Sequence, residues 1–72
     1  MISYEPFWNT LERSGENWYT LTTKYRMSFS TLSRLKNGKD ISMKTINDLC
    51  RILNCQIQDI AQYVPSEDDQ KL

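Results

Sequence analysis

Apolar residues recur along most of the chain at helical rather than strand spacing. Phe7 and Leu11 stand one turn apart with Trp8 widening the same side. Pro6 is tolerated in a first turn and Ser14-Gly15 forms a natural stop, so the pattern predicts a helix from about Glu5 to Arg13. Asn17 is a good N-cap for a second, short helix carrying Leu21 and Tyr25. Two later stretches, MSFSTL at 27–32 and ISMKTI at 41–46, share one arrangement of apolar, Ser, two residues, Thr, apolar. With Ser28 and Ser42 as N-caps, Met27 with Leu32 and Ile41 with Ile46 fall where a hydrophobic staple packs. Two helix starts follow.

The third helix carries Leu32 and Leu35 inward and stops near Asn37-Gly38, where glycine accepts the left-handed conformation that closes a helix. The fourth carries Ile46, Leu49, Cys50 and Leu53 as one stripe and ends at Asn54. Ile57, Ile60, Ala61 and Val64 repeat that spacing and predict a fifth short helix closed by Pro65. SEDDQKL, residues 66–72, has little to bury and is expected to be a disordered acidic tail behind a domain of residues 1–65. Only Met1 to Tyr4 suits a short extended segment. The expected class is all-α, a compact bundle of five short helices.

Composition narrows the function. The chain has 72 residues, enough for one thin-cored domain and too few for a catalytic scaffold with a separate substrate domain. It has no His, no Gly-rich phosphate loop and no paired acids in a defined setting, so no enzyme and no cofactor is expected. Cys50 and Cys55 without a His or a second Cys pair do not assemble a structural zinc site, and both read as small core residues. No apolar run approaches the roughly 20 residues that span a bilayer, and MISYEPFW is not a leader of basic then apolar residues. A cytoplasmic protein with no membrane partner and no small-molecule substrate is expected.

The formal net charge of zero conceals an asymmetry. Between Asn17 and Lys44 six basic residues (Lys24, Arg26, Arg34, Lys36, Lys39, Lys44) face the single acid Asp40, while the rest of the chain holds eight acids against three bases. The molecule reads as a basic segment on an acidic body.

That basic segment contains NWYTLTTKYRMSFSTLSRLKNGK, residues 17–39: a short helix, a few linking residues and a second capped helix. Leu21, Tyr25, Met27, Leu32 and Leu35 would face inward. Phe29, Ser30, Ser33, Arg34 and Asn37 would face outward, as small, polar and basic groups suited to a groove. Leu21, the run Met27-Ser28 into Ser30-Thr31-Leu32-Ser33-Arg34-Leu35, the Asn37-Gly38 stop and the Ser42-capped helix ending in Leu53-Asn54-Cys55 resemble the Cro/CI-type family of helix-turn-helix regulators, also called the xenobiotic-response-element type. The resemblance covers about residues 17–61, and CQIQDIAQYVP looks like the closing helix of small members.

The resemblance implies a lambda-repressor-like fold and a transcriptional regulator, repressor-like, that binds double-stranded DNA as a homodimer with Ser28–Asn37 in the major groove. The residues it brings to DNA are Asn17, as a cap beside phosphate, Trp18, Ser28, Phe29, Ser30, Thr31, Ser33, Arg34, Asn37 and Lys39. Lys36 and Lys44 flank the same loop as Lys39. Four positions depart from the family pattern: Thr22 replaces a frequent Ala, Arg26 a frequent Gly of the turn, and Trp18 and Phe29 frequent glutamines. A glutamine reads adenine with two hydrogen bonds, whereas Phe29 offers only apolar contact, for instance to a thymine methyl. The alternative reading is a protein-interaction module or antitoxin-like adaptor that keeps the fold without binding DNA.

Overall fold

The computed structural model describes residues 1–69. The chain runs from strand β1 (Ile2–Ser3) through helices α1 (Glu5–Ser14), α2 (Trp18–Thr23), α3 (Phe29–Lys36) and α4 (Met43–Leu53) to a single 3-10 turn (Ile57–Asp59) and strand β2 (Gln62–Tyr63).

Each helix start is made locally. Asn17 Oδ1 accepts from the Thr20 amide and the Thr20 hydroxyl accepts from the Asn17 amide, a complete capping box. Ser28 caps α3 by accepting from the Thr31 amide, and Ser42 caps α4 by accepting from that of Thr45. The stops are local too. Gly15 and Gly38 adopt left-handed backbone, and so does Asn54, one of the few side chains that tolerate it. The Lys39 amide reaches back to the Arg34 carbonyl across Gly38, and Cys55 to Cys50 across Asn54. In both cases a bond over five residues closes the helix, at Cys50 on a carbonyl that also accepts from the Asn54 amide.

Phe7, Leu21, Leu32, Leu35, Leu49 and Ile60 are almost wholly buried and form the core with Tyr4, Leu11 and Leu53. Every α-helix contributes at least one of them. Thr10 is the buried polar residue, and its hydroxyl donates to the Asp59 carbonyl at 2.7 Å, tying α1 to the 3-10 turn. Met27 and Ile41 pack against the core from just outside their helices, as staple positions should.

The five-helix expectation is corrected to four α-helices with one 3-10 turn and a strand pair. After α4 the Gln56 amide is capped by Asp59, and the Ile60 and Ala61 amides both turn back on the Ile57 carbonyl, so the helix closes after one turn. Pro65 lacks an amide hydrogen and disfavours helical backbone at Val64, which leaves too little chain to propagate a helix. Residues 62–63 instead pair antiparallel with residues 2–3, Ile2 opposite Tyr63 and Ser3 opposite Gln62. Ile60 is therefore buried while Ile57 and Val64 remain exposed. The extended segment expected within Met1 to Tyr4 is β1. Of the acidic tail, the Asp68 amide bonds the Ser66 hydroxyl and that of Asp69 the Ser66 carbonyl, forming a turn, and 70–72 lie outside the described residues. Among the described residues no helix is long and apolar enough to cross a membrane.

Candidate nucleic-acid interface

The turn joining α2 to α3 is set by Arg26, whose φ of 57° places a long side chain in left-handed backbone. The Lys24 and Tyr25 amides close α2 on the Thr20 carbonyl, and the Met27 amide returns to Leu21. Leu21 and Leu32, both fully buried, anchor the two helices in the same core. The opposite side of α3 then has, among the described residues, no neighbour that buries it.

On that side Phe29, Ser30, Ser33, Arg34 and Asn37 are all exposed, as the sequence pattern predicts. Phe29 is 76% exposed in the first turn of α3. Ser33 and Asn37 engage each other, the Asn37 amide donating to the Ser33 carbonyl at 2.9 Å and to its hydroxyl at 3.2 Å. The Ser28 and Thr31 hydroxyls are likewise bonded together at 2.9 Å. Among the described residues Ser30 makes no such bond, and Arg34 has one long contact, 3.4 Å to the Asp40 carbonyl.

Tertiary packing adds two residues absent from the sequence-derived set. Ser42 and Thr45, at the start of α4, line a polar depression of about 260 Å³ together with Ser30, Thr31, Arg34 and Ile41. The first turns of α3 and α4 carry no acid, so the positive ends of both helix dipoles lack a counter-charge within those turns. The recurrent Ser-x-x-Thr cap was the available signal for Ser42 and Thr45, but their proximity to Arg34 depends on the loop of residues 37–41.

The basic segment divides into paired and unpaired groups. Lys24 lies 3.4 Å from Glu16, whose carboxyl is held below its usual range by the Thr20 hydroxyl and by Lys24. Lys44 lies 3.1 Å from Asp48, whose carboxyl it similarly holds low. Among the described residues Arg26, Arg34, Lys36 and Lys39 have no such carboxylate partner. All four lie on α3 or the segments immediately flanking it. The remaining sequence-derived candidates sit at its margins: Asn17 is exposed at the start of α2, and the exposed Lys39 follows α3. Trp18 is half-buried, its ring stacked on Trp8 with centroids 5.6 Å apart and planes 17° apart. Trp8, Trp18 and Lys36 line a shallow depression of about 310 Å³.

Comparison with known proteins agrees with this arrangement. The family model described as the Cro/C1-type HTH DNA-binding domain matches residues 8–66. The crystal structure of the transcriptional regulator VanUg, form II, is similar, with a TM-score of 0.80 and 26% sequence identity over 90% of this chain and 87% of that one. Comparison with curated proteins gives no match. With Leu21 of α2 and Leu32 of α3 buried in one core and the residues on the outer side of α3 exposed, the chain belongs to the Cro/C1-type helix-turn-helix DNA-binding family.

Proposed function

We propose that the protein is a small transcriptional regulator, repressor-like, that binds specific double-stranded DNA as a homodimer with Ser28–Asn37 in the major groove. The observation that carries this reading is the outer side of α3, where Arg34 stands exposed beside Ser30, Ser33 and Asn37, with Arg26, Lys36 and Lys39, on or next to the same helix, lacking carboxylate partners among the described residues. Phosphate neutralisation supplies most of the non-specific affinity of such proteins for DNA, and cations gathered on and around one helix of a neutral molecule direct that attraction to its vicinity. The structural likeness to a transcriptional regulator supports the regulatory role.

Within this reading the residues divide by chemistry. Asn17, Ser28, Thr31 and Lys39 border the surface and suit phosphates, as do Ser42 and Thr45 at the start of α4. Ser30, Ser33, Arg34 and Asn37 suit base edges, and Phe29 suits an apolar contact. Trp18, stacked on Trp8 and half-buried, offers only part of its ring. The binding domain spans residues 1–65, ahead of the acidic tail 66–72. The dimer follows from contact arithmetic, since one module of this size makes too few base contacts for useful specificity.

Selection from a random double-stranded DNA pool at two salt concentrations tests the proposal. The expected outcome is enrichment of a palindromic sequence, with affinity falling steeply as salt rises and at least tenfold on Arg34→Ala. Retention of no sequence from the pool would overturn it. In that case the exposed Phe29 and Tyr19 favour the second reading, a protein-interaction module that keeps the fold without binding DNA.

A further inference from the structure

Cys50 and Cys55 take no part in the surface around α3, and the fold places them together. Cys50 lies in the last turn of α4, and Cys55 just beyond its closure. The Cys55 amide donates to the Cys50 carbonyl at 3.0 Å, across Asn54 in left-handed backbone. With standard backbone dimensions that bond limits the two Cα atoms to a separation of at most about 7 Å, the distance beyond which a disulfide requires the backbone to move. Both thiols are half-buried rather than sealed in the core, and both line one depression of about 350 Å³ whose other lining residues are all uncharged. Burial, and then the Cys50 thiol, push the Cys55 thiol up to about 11, so the two sulfurs stand close enough to act on one another. Arg13 borders Cys55 from a second depression, but Asp59 lines it too, and the thiol is held up rather than down.

We infer that Cys50 and Cys55 are a modification site, joined by a reversible internal disulfide through exchange with a low-molecular-weight disulfide of the glutathione type. Cys50 reacts first, because the Cys55 thiol rarely ionises near neutral pH. The Cys50 thiolate attacks one sulfur of the small disulfide, which releases one small thiolate and leaves a mixed disulfide on Cys50. The Cys55 thiolate then attacks Cys50 Sγ, and the second small thiolate departs. The two protein thiols lose two electrons and two protons, and the small disulfide takes them up as two thiols. Proximity offsets the low thiolate fraction of Cys55, since the backbone bond holds it beside the sulfur it attacks. The shared depression has no cation to stabilise a thiolate, so nothing there favours the reduced pair over the disulfide. Closing the loop of residues 50–55 encloses Asn54 and pins the left-handed turn that ends α4.

Stepped mixtures of oxidised and reduced glutathione test this on the full folded chain, quenched in acid, alkylated and read by mass spectrometry. The expected product is a single chain lighter by two hydrogens, with no alkyl group added and Cys50 linked to Cys55. Its half-oxidation point should follow the square of the reduced glutathione concentration, because two small thiols are released. The folded chain should favour this product at least tenfold over the chain in concentrated urea. By linkage the oxidised form should melt at least about 5 °C higher and return to the original value on reduction. Cys55→Ser should stop at a glutathione adduct on Cys50, and if that variant does not fold, the wild-type titration alone decides. A wild type that ends with glutathione on both cysteines, as disulfide-linked dimers, or with two free thiols at the highest oxidant ratio overturns the inference. An internal disulfide that forms no more readily in the folded chain than in urea overturns it as well.

Discussion

The Tyr4 hydroxyl donates a 2.7 Å hydrogen bond to the carbonyl of Lys39, 35 residues away. It fastens the segment between β1 and α1 to the loop that leaves α3, so the N-terminal part of the chain braces the exit of the proposed reading helix. Tyr4 is buried, and its phenol is raised above the ordinary tyrosine range by that burial and by nearby Asp40.

Tyr4→Phe removes this bond and leaves the Lys39 carbonyl without that donor, a cost of about 1 kcal/mol. Thermal melting should fall by about 4–8 °C for a domain of this size. Because the folded phenol has the raised pKa, its contribution is complete at neutral pH and is lost as pH climbs from the unfolded phenol's pKa through the folded one. The gap between wild type and variant should therefore narrow above about pH 10. A gap that stays constant in alkali assigns the loss to packing instead.

Arg26 holds left-handed backbone at φ 57° without the freedom of glycine. A non-glycine residue there costs about 1 kcal/mol, so Arg26→Gly should raise the urea midpoint while leaving the slope of the transition unchanged. Loss of a cation beside α3 should weaken DNA binding in the same variant and reduce its salt dependence by about one phosphate contact. A midpoint that falls would show that the arginine side chain contributes more than its backbone strain costs.

Phe29 presents an aromatic ring at the start of α3 with little packing of its own. Within the DNA-binding reading its partner is a thymine methyl group. Replacing thymine by uracil at single positions of the selected site deletes the methyl and keeps the base pair. Affinity should drop about fourfold at one position per half-site, the worth of one buried methyl, and Phe29→Ser should abolish that sensitivity. Uniform indifference to uracil would remove Phe29 from base reading and leave Arg34 untouched.

Cys50 and Cys55 are unpaired thiols packed at the edge of the core. Burial, with Cys50 and Asp59 nearby, pushes the Cys55 thiol up to about 11. At pH 7 its thiolate fraction is on the order of one in ten thousand, so iodoacetamide should alkylate native Cys55 about 100-fold more slowly than in the urea-unfolded chain. Equal rates in the two states would contradict the half-buried position and the raised thiol.

The sequence by itself determined the four α-helices and the order in which they occur. Their caps, Asn17, Ser28 and Ser42, each act on an amide three residues away, and Gly38 and Asn54 close helices through bonds spanning five residues, so such signals are complete within a short window. Leucine spacing then settled which sides of α3 and α4 are buried, and so which side of α3 is outward. The tertiary structure decided what depends on distant partners. Residues 57–64 have helical spacing, but Pro65 and the offer of pairing from Ile2–Ser3, some 60 residues earlier, turned them into one 3-10 turn and a strand. It also decided that Trp18 stacks on Trp8, that Ser42 and Thr45 stand beside Arg34, and that Ile2, Met43, Ile57 and Tyr63 converge on one face. None of these contacts has a local signature, because each is created only when the core closes and brings separate segments together.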